Sequence, residues 1–75
     1  MLDYEKGDIV HYASRIDGTS HVTGLIIDVE YLTKADDFLV YILWTNSDPP
    51  GRPQALHQKS CHRRDIRILD GFHED

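Results

Sequence analysis

Seven consecutive residues from Phe38 to Trp44 (FLVYILW) are all apolar or aromatic, and this run constrains the fold more than any other feature. It falls far short of the roughly 20 residues that a membrane helix needs. Read with a period of two, it places Phe38, Val40, Ile42 and Trp44 on one face and Leu39, Tyr41 and Leu43 on the other. A strand with two apolar faces belongs inside a sheet or needs its outer face covered. The chain is 75 residues long, and a chain of that size buries only about 60% of the surface that its unfolded form exposes. One small domain follows, with a core over about residues 7–70 and a polar tail over 71–75.

The remaining segments also read as strands. Gly7-Asp8 is a turn signal ahead of Ile9-Val10-His11-Tyr12, a first strand. Ser14 to Ser20 (SRIDGTS) has loop chemistry centred on Asp17-Gly18. From Val22 to Tyr31, alternation puts Leu25, Ile27, Val29 and Tyr31 on one expected buried face, opposite Ile26, Asp28 and Glu30. Gly24 inside this strand reads as a bulge or tight bend. Lys34 to Asp37 (KADD) is a polar turn, and the third strand follows it. Asn46 to Gln54 (NSDPPGRPQ) contains three prolines and a glycine, so it cannot continue a helix or a sheet interior. This long loop precedes a short fourth strand, Ala55-Leu56-His57. Ser60 to Arg64 then reads as a turn or single 3₁₀ turn, and Asp65 to Leu69 as a fifth strand with Ile66 and Ile68 on one face. Helix has little support anywhere in the chain, and the expected fold is all-β, because five short strands joined by loops and lacking a helix avoid open edges best by closing into a small barrel.

Four stretches recur in this order in a known group: Gly7-Asp8-Ile9-Val10, Thr23-Gly24-Leu25-Ile26-Ile27-Asp28-Val29, Val40-Tyr41-Ile42-Leu43-Trp44 and Asp65-Ile66-Arg67-Ile68-Leu69. The chain resembles SH3-like barrels, and among them the short stand-alone barrels of tailed bacteriophages of marine and cyanobacterial type. It is more distantly similar to KOW domains. The resemblance covers nearly the whole chain and implies a five-stranded SH3-like barrel, with a long loop before strand 4 and a short 3₁₀ turn before strand 5. It also implies a phage protein, located in the virion or the host cytoplasm. KOW modules usually carry several basic residues after the first strand, where this chain has Arg15 and Asp17.

Charge and cysteine usage bound the partners. The net charge of −5 conceals an uneven distribution: residues 1–48 carry −6, residues 49–67 carry +4 and the last eight carry −3. The acidic body repels nucleic acid, while Arg52, Lys59, Arg63, Arg64 and Arg67 form a basic segment suited to an acidic protein surface. With Cys61 alone no intrachain disulfide forms, and Asp3 and Glu5 stand where a signal peptide would carry basic residues. These features fit a soluble protein outside secretory compartments.

His57, Cys61 and His62 invite a zinc reading, but a structural site needs four ligands, and the fourth would have to come from His11, His21 or an acid. The spacing matches no zinc-knuckle pair, so no metal and no cofactor is expected. A Cys61–histidine nucleophile would need a pocket and an oxyanion site, which a barrel filled by its own side chains does not offer. The chain is therefore read as non-catalytic. Tyr31, Tyr41 and Trp44 are expected to close the core, leaving Tyr12 as the partly exposed aromatic contact beside the basic residues. The expected function is a protein-interaction module: a minor virion component or small accessory factor that docks on a phage or host protein, or self-associates into a dimer or ring. The alternative is a KOW-like nucleic-acid-binding module using residues 52–67.

Overall fold

In a computed structural model, which describes residues 2–13, 21–47 and 49–69, the chain forms five strands and one short helix. The strands are β1 (Ile9–Ala13), β2 (His21–Leu32), β3 (Asp37–Trp44), β4 (Gln54–His57) and β5 (Arg67–Ile68), with the helix α1 (Gln58–Arg63) between the last two. All pairings are antiparallel, and the strand order is β4-β3-β2-β1-β5. The molecule is thus mostly β, one five-stranded sheet with one helix. These pairings leave β4 and β5 as the two outer strands and do not close the sheet. The expected loop at Ser14 to Ser20 and the polar tail lie outside the described residues.

The two-faced apolar run becomes β3, flanked by β2 and β4 as its composition requires. Val40, Ile42 and Trp44 face the core, and Leu39, Tyr41 and Leu43 are half-buried on the opposite side. Trp44 donates from Nε1 to Gln54 Oε1 at 2.8 Å, which satisfies the indole N–H near the start of β4. Each fully buried aliphatic side chain here contributes about 1.5–3 kcal/mol. Val10 from β1, Ile26 from β2 and Leu56 from β4 complete the centre of the core.

The face expected to be buried in β2 is corrected. Ile26 is 1% exposed, whereas Leu25 is 42% and Tyr31 49% exposed. A bulge between Ile26 and Asp28 inserts Ile27 as an extra residue, so the core-facing phase runs through Gly24 and Ile26 and resumes at Val29. The bulge lies at Ile27 and not at Gly24. Gly24 serves close approach instead, since a Cβ there would lie 2.6 Å from Ile42 Cγ2 and 2.7 Å from Trp44 Cε3.

The expected 3₁₀ turn is also corrected, since residues 58–63 form an α-helix. Its N-cap residue, His57, makes no side-chain cap bond. The Lys59 N–H donates instead to Asp37 Oδ2 at 3.4 Å, so a carboxylate 22 residues upstream serves the helix start. At the other end, Asp65 N–H donates to His62 O and Ile66 N–H to Cys61 O, with Asp65 at φ +58°. This is a Schellman closure with an aspartate in the left-handed position. It takes Asp65 and Ile66 out of the expected fifth strand, which shortens to two residues.

The N-terminal segment belongs to the core, which its sequence does not suggest. Tyr4 is buried, and its hydroxyl donates to Ile66 O at 2.7 Å. Asp3 N–H donates to Gln58 Oε1 at 2.8 Å. Residues 5–8 then turn into β1: Asp8 N–H donates to Glu5 O, Gly7 sits at φ +96°, and Asp8 Oδ2 accepts the Glu5 N–H.

Candidate interaction surface

Side chains directly opposite one another on paired strands point to the same side of a sheet. Val10, Ile26 and Ile42 point into the core, so their neighbours Ile9, Leu25 and Leu43 point outward. The register pairs Ile9 with Leu25 and Leu25 with Leu43. Leu69 N–H donates to Ile9 O at 2.7 Å and follows the core-packed Ile68, which extends the row by one more strand. Four aliphatic residues therefore cross the outer face of β5, β1, β2 and β3. Leu25 and Leu69, at 42% and 38%, are two of the exposed large hydrophobic residues. Over part of this row lies an open groove of about 420 Å³, with Ile9, Leu25 and Leu43 among its lining residues and Pro50 and Gly51 contributed by the β3–β4 loop.

The rows on either side differ in charge. One holds Arg67, His11 and Thr23. The other side holds Asp28, Tyr41 and Ala55, and beyond them Glu30, Leu39 and His57. Tyr41 donates from its hydroxyl to Glu30 Oε1 at 3.0 Å, a bond that raises its pKa above the usual phenol value. Tyr31 likewise donates to Asp36 Oδ1 at 2.8 Å, which raises its pKa, and its ring packs against Phe38 at 5.2 Å. Asp36 adopts φ +49° in the turn between β2 and β3.

The expected aromatic roles are redistributed. Trp44 does close the core, Tyr41 is half-buried, and Tyr31 lies at the exposed end of the β2–β3 ladder. Tyr12 is half-buried with its ring edge-on to Trp44, centroids 5.1 Å apart, so it supports the core. Phe72 lies outside the described residues.

The basic residues spread over two places. Arg52 is exposed in the loop just after Gly51 on the groove wall, while Lys59, Arg63 and Arg64 are exposed on and beside α1. Gln58 and Cys61 form the buried side of that helix, and Lys59 and Arg63, four apart, share its outer face. Arg67 bonds through Nε to Asp65 Oδ1 at 3.1 Å, an exposed pair worth at most about 1 kcal/mol. Arg52, Lys59, Arg63 and Arg64 form no ion pair with another described residue.

His57, Cys61 and His62 do not converge. Cys61 is fully buried, and burial, the largest influence, pushes its thiol pKa up to about 11. His57 lies 3.8 Å from Asp37, and His62 lies 2.8 Å from Asp3 Oδ2 with its ring 5.2 Å from that of Tyr4. No group of three His, Cys, Asp or Glu side chains among the described residues is placed to hold a metal ion. A raised thiol pKa also opposes the thiolate that nucleophilic attack requires. No helix among the described residues is long and apolar enough to cross a membrane.

No protein-family model, curated protein or solved structure matches the chain.

Proposed function

We propose that the chain is a non-catalytic protein-interaction module built as a small SH3-like barrel, used by a tailed phage as a minor virion component or as a small factor docking on a phage or host protein. The exposed aliphatic row Leu69–Ile9–Leu25–Leu43, with the groove beside it, carries this reading. A small soluble domain gains nothing from exposing branched side chains as a line across four strands, and such patches mark contact surfaces. The meander order with β5 beside β1, and a short helix between β4 and β5, supports the SH3-like assignment. Tagged protein incubated in a lysate of infected host cells should recover a stoichiometric partner that the Leu25→Asp variant fails to recover. Recovery of no partner by the unaltered protein would count against the reading.

The exposed cations of α1 favour a second reading, a nucleic-acid-binding module that uses Lys59, Arg63 and Arg64 with Arg52. Only a few phosphates could be engaged by so small a set, so binding would be weak and salt-sensitive. Titration with single- and double-stranded nucleic acid at low salt tests it. Binding lost on replacing Arg63 and Arg64 by alanine supports this alternative, and no binding at low salt excludes it.

A further inference from the structure

We draw no further inference here: the strongest candidate, the aliphatic row Leu69–Ile9–Leu25–Leu43 with its groove on the outer face of the sheet, belongs to the interaction surface already described, and nothing in the structure shows what covers it.

Discussion

Asp65 occupies a backbone conformation that glycine adopts without penalty. At φ +58° it closes the Schellman motif after α1, and L-residues in that region cost about 1–2 kcal/mol, with aspartate among the less penalised. Its carboxylate returns little, because the pair with Arg67 is exposed on both sides. Asp65→Gly is expected to stabilise the fold by about 0.5–1 kcal/mol in urea unfolding. Asp65→Val should destabilise it, since a β-branched residue resists that region most. Gly24 is the opposite case: Gly24→Ala would drive a methyl group into Ile42 and Trp44, both buried, and should cost about 1–3 kcal/mol. Sequence reading marked Gly24 without finding its role and did not mark Asp65. Gly24 was legible as a special site in a strand, but its reason lies in β3, which the strand's own residues do not encode. Asp65 reads locally as the start of a strand, and only the helix ending before it forces its conformation.

At the scale of elements, α1 shows how a distant residue decides between two local structures. Residues 58–63 have no acidic residue in the first turn and no cap from His57, so local signals stop at a turn. Asp37, at the start of β3, supplies what is missing. Its carboxylate is buried, which alone would raise its pKa. The hydrogen bonds from Phe38 N–H and Lys59 N–H, together with the nearby Lys59 and His57 charges, outweigh that effect and hold it below the ordinary carboxylate value. A lowered native pKa means that the ionised form stabilises the fold above the ordinary carboxylate pKa and that this contribution is lost as pH falls through the native value. Asp37→Asn should therefore lower stability at neutral pH and flatten the acid limb of a stability-versus-pH curve. Helical circular dichroism should fall with it. An unchanged acid limb would show that Asp37 does not serve the helix. The bulge in β2 has the same character: strict alternation was legible from Val22 to Tyr31, but the inserted Ile27 reverses its phase midway. That reversal leaves Leu25 outside, and so creates the apolar row of the proposed interaction surface.

For the whole molecule, the question is what joins the two ends of a sheet whose strand pairings do not close it. Strand content, order along the chain, the long loop before β4 and the interior place of β3 were all legible, because each is written in local periodicity or in turn residues. The part played by residues 2–8 was not, since Asp3, Tyr4 and Glu5 show no apolar pattern. Tyr4 supplies the buried part of this segment: its ring is buried beside His62, and its hydroxyl fixes the carbonyl of Ile66 just after the helix. Burial, the main cause, pushes its phenol up to about 12. Tyr4→Phe leaves that buried carbonyl without its partner and should cost about 1–2 kcal/mol. Tyr4→Ala also removes the ring and should cost about 3–5 kcal/mol. A domain of this length has only about 4–11 kcal/mol in total, so the alanine variant should approach the unfolding threshold. Cys61 reports on that opening, since its buried thiol reacts with a disulfide reagent only when the core is exposed. Thiol labelling at pH 8 should be slow in the unaltered protein, faster in Tyr4→Phe and close to the unfolded rate in Tyr4→Ala. Equal labelling rates in all three would mean that the N-terminal segment lies against the core without holding it. The graded order would identify Tyr4 as a tie between the helix and the strand that ends the sheet.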